Sequence, residues 1–213
     1  MNIKIVNYTK KLGDQEVLNN INLDLYSGNI YGFYGKNGSG KTMLFRAVTS
    51  LITPTNGDIL IDGESIINGE TDLSKIGILI ENPGFYDYLT GFQNLELLYS
   101  INHKKNSDIL NTYLEKVGLG EVTNKLYKKY SLGMRQRLGI AQAIMEDQKI
   151  IILDEPTNGL DEQGINDVRA LLIEEKKKDK IILIASHNKD DLRILSDKIF
   201  HLDHGMITGE IKL

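Results

Sequence analysis

Gly35-Lys36-Asn37-Gly38-Ser39-Gly40-Lys41-Thr42 fills every fixed position of the phosphate-binding pattern G-x-x-x-x-G-K-[ST]. The apolar run Ile30-Tyr31-Gly32-Phe33-Tyr34 precedes it and predicts a buried strand. Met43-Leu44-Phe45-Arg46-Ala47-Val48 follows and predicts the opening of a helix. A strand, a glycine-rich turn and a helix N-terminus together aim several backbone N–H groups at one point, where the helix dipole adds positive charge. In that frame Lys41 supplies a point charge for the β- and γ-phosphates, and the Thr42 hydroxyl can ligate Mg²⁺. The expected ligand is a nucleoside triphosphate.

The rest of the chain narrows the class of protein. Its 213 residues suffice for one domain with a good core, and 41% hydrophobic with 25% charged residues is ordinary for a globular chain. A net charge of −4 argues against a nucleic-acid partner, whose footprint is usually basic. Cysteine is absent, which removes disulfides and thiolate chemistry and fits the cytoplasm. The N-terminal Met1-Asn2-Ile3-Lys4-Ile5-Val6 lacks the long apolar stretch of a signal peptide. No run approaches the roughly 18 apolar residues of a membrane span, so a membrane role would come through a partner.

Outward from the phosphate loop, the apolar pattern predicts strands at Ile3–Val6, Ile21–Leu25, Asp58–Ile61 and Ile76–Ile80. From about Thr90 to Met145 it changes to helices, with Ser107 and Ser131 as expected N-caps. Strands return at Ile150–Leu153 and Ile181–Ile184, continuous apolar runs of the kind covered on both faces. A helix is expected between them from Asp161 to about Lys178, its Glu174-Glu175-Lys176-Lys177-Lys178 end a solvated face. The first of these strands ends in Asp154-Glu155. Delivered to the carboxyl edge of a parallel sheet, Asp154 suits a Mg²⁺ shell and Glu155 a general base for the attacking water. The segment around His201, Asp203 and His204 reads as a hairpin rather than a metal site.

Ser131-Leu132-Gly133-Met134-Arg135-Gln136-Arg137 resembles the signature motif of ABC-type ATPases, in a Ser-Leu-Gly-Met variant of the commoner Ser-Gly-Gly-Gln. Asp154-Glu155-Pro156-Thr157-Asn158-Gly159-Leu160-Asp161 resembles that family's Walker B strand end and D-loop, and Ser186-His187 its switch histidine. The resemblance covers essentially the whole chain. It implies an α/β P-loop NTPase with a mainly parallel core sheet, an N-terminal antiparallel β-subdomain and a helical insertion. Residues 1–213 would form a single domain, with the core at 1–89 and 147–213 and the helical signature subdomain at about 90–146.

The family mechanism implies a head-to-tail dimer that sandwiches ATP and Mg²⁺. Gly35 to Thr42 of one subunit would hold the nucleotide, while Ser131, Leu132, Gly133, Met134 and Arg135 of the other close over it. Glu155, His187 and Glu81 would be catalytic, Asp161 would couple the two sites, and Thr42, Asp154 and Glu81 would bind metal. Glu81 stands where the family usually has a glutamine at the metal and the attacking water. With Asn82 and Pro83 it resembles the export ATPases of bacitracin-resistance and lantibiotic-immunity transporters. Leu12 replaces the aromatic that often stacks on adenine, and Tyr8 or another nearby side chain would be the substitute. The aromatic stretch Phe85, Tyr86, Tyr88 and Phe92 suits docking of an integral-membrane permease. The implied function is ATP hydrolysis for a membrane exporter at the cytoplasmic face. A soluble ABC-type ATPase that drives assembly is the alternative.

Overall fold

The computed structural model describes residues 1–67, 72–81 and 84–213. In chain order it opens with strands β1 (Asn2–Leu12), β2 (Gln15–Tyr26) and β3 (Asn29–Tyr34), then helix α1 (Lys41–Val48). Strands β4 (Asn56–Ile61), β5 (Glu64–Ser65) and β6 (Ile76–Leu79) follow. Three helices come next: α2 (Gly91–Tyr99), α3 (Ser107–Lys116) and α4 (Leu132–Ile144). The chain ends with β7 (Ile150–Asp154), α5 (Glu162–Lys176), β8 (Ile181–Ser186), α6 (Lys189–Leu195), β9 (Lys198–Asp203) and β10 (Met206–Lys212).

A six-stranded sheet in the order β10-β9-β3-β8-β7-β6 forms the centre, parallel throughout except for the β9–β10 hairpin. A second, antiparallel sheet runs β2-β1-β4-β5. Strands β7 and β8 are apolar on both faces because both faces are covered, and the alternation of side chains splits them between two cores. Ile151, Leu153, Ile182 and Ile184 pack with the helices α2 to α6. Ile150, Ile152, Ile181 and Leu183 pack with α1 and the antiparallel sheet. β1 and β2 are longer than the sequence pattern predicts, since both run on into a hairpin past Tyr8 through register shifts.

Gly77 sets the position of the helix that carries the signature motif. A Cβ at Gly77 would lie 1.7 Å from the carbonyl oxygen of Ala143, so α4 rests directly on β6. The Ser131 hydroxyl caps α4 by accepting from the Met134 N–H at 3.2 Å.

Two local expectations are corrected. Asn106, not Ser107, caps α3, its side chain accepting from the Ile109 N–H at 3.2 Å. The end of α5 is not a purely solvated face, because Glu175 is fully buried and paired with Lys178 and Lys180.

Candidate active site

β3, β7 and β8 all end at the same edge of the central sheet. A cavity of about 710 Å³ opens there between that edge, the N-terminus of α1 and the β1–β2 hairpin. Gly40 precedes α1 with φ +107 and carries no side-chain cap, so the first N–H groups of the helix are left for an anion. Asn37, Gly38, Gly40, Lys41 and Thr42 line the cavity. Gly35 and Lys36 act through their carbonyl oxygens, which accept from the buried Lys41 ammonium at 2.6 and 3.2 Å. The Ser39 hydroxyl is buried and has no hydrogen-bond partner among the described residues. An unpaired hydroxyl and a lysine held on neutral carbonyls form a cradle that a polyphosphate completes.

Asp154 enters from the end of β7. Its Oδ2 accepts from the Thr42 hydroxyl at 2.5 Å. Burial raises its pKa above the ordinary carboxylate value; the Thr42 hydrogen bond opposes that, and the neighbouring Glu155 charge reinforces it. A cation beside Asp154 would relieve this strain. Among the described residues no group of three His, Asp or Glu side chains is arranged to hold a metal. The donor set of one hydroxyl and one carboxylate therefore fits Mg²⁺ bound jointly with phosphate oxygens.

Glu155 follows in a left-handed backbone conformation, φ 50. Its Oε1 accepts from the His187 N–H at 2.9 Å and lies 2.9 Å from His187 Nδ1, while Oε2 accepts from the Ser186 hydroxyl at 3.2 Å. The carboxylate is thus aimed by the residues that end β8. His187 meets the cleft through Glu155, and the cavity wall is formed by Glu155 itself. Gln136 of α4 also lines the cleft and donates to the Glu155 carbonyl at 2.9 Å. Glu81, φ 59, reaches the same cavity and pairs with Arg46 of α1 at 2.6 Å. Asn82 and Pro83, which complete the export-type motif, lie outside the described residues.

The signature residues divide. Leu132 reaches the cleft of its own chain and covers Gly159. Gly133 lies against the Gly159 carbonyl, where a Cβ would stand 2.9 Å away. Met134 and Arg135 turn toward residues 125–127, Met134 Sδ 3.7 Å from Lys125 Nζ and the Arg135 guanidinium 4.9 Å above the Tyr127 ring. Asp161 caps α5 by accepting from the Gly164 N–H at 3.0 Å.

At the opposite end of the cleft, Tyr8 is excluded as a base-stacking residue. Its ring is buried in the core and its hydroxyl donates to the Ile52 carbonyl at 3.1 Å. Leu12 is half exposed and is not part of the cavity wall. That wall is instead formed by Gln15, Glu16, Val17, His204 and Gly205.

The family described as ABC transporter matches residues 18–158. The chain belongs to that family. BcrA, the bacitracin transport ATP-binding protein of Bacillus licheniformis, is 42% identical over 213 residues, 98% of this chain and 69% of BcrA. The lantibiotic transport ATP-binding protein SrtF of Streptococcus pyogenes is 38% identical over 208 residues, 98% of this chain and 90% of SrtF. The ATP-binding cassette MJ0796, in a dimeric post-hydrolysis state bound to ADP and Pi, superimposes with a TM-score of 0.89 at 26% identity. That match covers 99% of this chain and 98% of MJ0796.

As an ABC transporter ATPase, the chain binds ATP and hydrolyses it to power transport. Among the described residues no helix is long and apolar enough to cross a membrane. The sequence pattern assigned no role at the cleft to Gln136, Asn158, Arg46, His204 or the stretch Gln15–Val17. Gln136 lay within the quoted signature helix, one turn past its glycine. Asn158 lies within the run that resembles the D-loop, whereas His204 and Gln15–Val17 carry no local signal, because turns far apart in the chain assemble that end of the site.

Proposed function

We propose that this chain is the ATPase subunit of an exporter that moves an antimicrobial peptide or a related toxic compound. Two copies would pair head to tail on an integral-membrane permease at the cytoplasmic face. The likeness to bacitracin and lantibiotic transport ATPases supports the cargo class, and the dimeric cassette of the same fold supports the pairing. Tyr86 and Tyr88 favour the loop before α2 as the permease contact. They are exposed side by side, ring centroids 5.5 Å apart, and Asn94 fixes their loop by bonding both the N–H and the carbonyl of Tyr86. Phe85 and Phe92 of the same stretch pack inward instead.

Within each site, Lys41, the backbone of Gly38 to Thr42 and the Ser39 hydroxyl would bind the phosphates. Thr42 and Asp154 would hold Mg²⁺, with Glu81 near it; the ion would neutralise charge on the β- and γ-phosphate oxygens. Glu155 would take the proton from the attacking water, held in register by Ser186 and His187. The partner's Ser131–Gly133 turn would close over the γ-phosphate, and Asp161 would link the two sites across the dimer.

The observation that carries this reading is the Glu155 carboxylate, gripped by His187 and Ser186 at the wall of the cavity that holds Lys41, Thr42 and Asp154. The test is Glu155→Gln. Steady-state hydrolysis should fall by about a hundredfold or more, the size of effect that a general base supplies. Light scattering should show an ATP-dependent dimer that persists because turnover is blocked. Hydrolysis at the native rate would remove Glu155 from the role.

A further inference from the structure

Among the described residues, the base end of the cleft has one ring-bearing side chain in its wall, and it is not where the sequence directs attention. Tyr8 is committed to the core, and Leu12 stands off the cavity. Among the described residues that line the cavity, His204 alone carries an aromatic ring. We propose that His204, at the tip of the β9–β10 hairpin, stacks on the nucleobase and supplies the contact for which Leu12 is unsuited. This inference rests on the nucleotide orientation given above, with the phosphates at Gly38 to Thr42.

The turn that bears His204 is fixed to the phosphate loop rather than merely close to it. The Gly205 N–H donates to the Ser39 carbonyl at 2.9 Å, and the Asn19 N–H donates to the Gly205 carbonyl at 2.8 Å. A Cβ at Gly205 would lie 2.6 Å from the Val17 carbonyl oxygen, and one at Gly40 would lie 3.3 Å from the Gly205 Cα. The hairpin tip, β2 and the phosphate loop therefore meet with only backbone between them. Wherever the phosphate loop holds the triphosphate, the hairpin tip keeps a constant distance from it.

The side chain itself is available. His204 is 88% exposed, and its Nε2 has only a loose approach to the Asp203 carboxylate at 3.8 Å. Its backbone sits in the left-handed region, φ 45, which a non-glycine residue rarely adopts. Stacking of a base on an aromatic face tolerates any base, so this contact adds affinity without strong selection for adenine.

Equilibrium binding of ADP and of pyrophosphate tests the proposal, because neither probe requires turnover and only ADP carries a base. His204→Ala should weaken ADP binding about five- to tenfold and leave pyrophosphate within twofold of the native protein. His204→Phe should restore ADP affinity, and Leu12→Ala should leave it unchanged. Four results would overturn the assignment. ADP affinity could stay within twofold in His204→Ala, or both probes could weaken equally through a shifted phosphate loop. Leu12→Ala could cost more than His204→Ala, or the native protein could bind pyrophosphate as tightly as ADP. The hydrolytic mechanism is judged separately, by turnover in Glu155→Gln.

Discussion

Both edges of the central sheet carry buried charge, and they use it in opposite ways. At the amino edge, Lys180 precedes β8 and its ammonium lies 2.6 Å from Glu175 Oε2 and 2.8 Å from Asp147 Oδ1. Lys178 completes the group at 2.5 Å from Glu175 Oε1. Lys180 and Glu175 are both fully buried, and each charge finds its opposite within the chain. At the carboxyl edge, the buried Lys41 rests on two carbonyl oxygens and has no carboxylate partner among the described residues. Asp154 there has a hydroxyl instead of a cation. A closed cluster is architecture, since nothing remains for a ligand to do. An open one, with a lysine, a carboxylate and a hydroxyl each short of a partner, is a site.

The comparison predicts a clean separation of effects. Glu175→Gln should destabilise the fold by about 3 kcal/mol, because Lys180 then keeps only the exposed Asp147 as a charged partner. Denaturant melts would measure this, and ATP affinity should not change. A loss of nucleotide binding without loss of stability would break the comparison.

The same variant should flatten the acid limb of the stability profile. Burial alone would raise the Glu175 pKa, but hydrogen bonds and charge from Lys178 and Lys180 outweigh it and hold the pKa below the ordinary value. A lowered carboxylate pKa gives stability that is complete above the unfolded value of about 4.3 and is lost as pH falls below it. The native protein should therefore lose more stability than Glu175→Gln below about pH 4.5. Lys41→Ala is the converse case. It would remove the ammonium proposed to contact the phosphates and should weaken ATP binding by about a hundredfold. It should leave the melting of the ligand-free protein near native, since it relieves a buried charge held only by carbonyl oxygens.

The two edges also differ in how far the sequence reveals them. The phosphate loop is legible because its geometry forces residue types: glycine where φ is positive at Gly38 and Gly40, then lysine and a hydroxyl at the helix start. Asp154 and Glu155 are legible because a buried strand must end at the ligand edge of a parallel sheet. The amino-edge cluster is not. Glu174 to Lys178 reads as a solvated helix end, and only the tertiary approach of Lys180 and Asp147 buries Glu175. The base end of the cleft is hidden for the same reason. Val17, Ser39 and Gly205 meet there through backbone hydrogen bonds and close packing, and neither leaves a pattern in side-chain type. Capping shows a milder form of this limit at α3. Asn106 and Ser107 are both good N-caps, and which side chain turns to the Ile109 N–H is settled by the chain path.

Arg46 and Glu81 give the smallest effect and the finest test of the open edge. Glu81 places a second carboxylate in a cleft that must accept a triphosphate, and Arg46 lies 2.6 Å from it. The pair is partly exposed, side chains 35% and 61% accessible, so its worth to the fold is at most about 1 kcal/mol. Arg46→Ala should therefore leave the melting temperature within about four degrees of native. If Glu81 contributes at the metal, its charge matters more once Arg46 no longer balances it. The Mg²⁺ concentration for half-maximal hydrolysis should then shift in Arg46→Ala, and Glu81→Gln in the same background should return it toward native. A Mg²⁺ profile unmoved in both variants would assign the pair to the surface of α1 and place Glu81 with the closed, structural charges of the opposite edge.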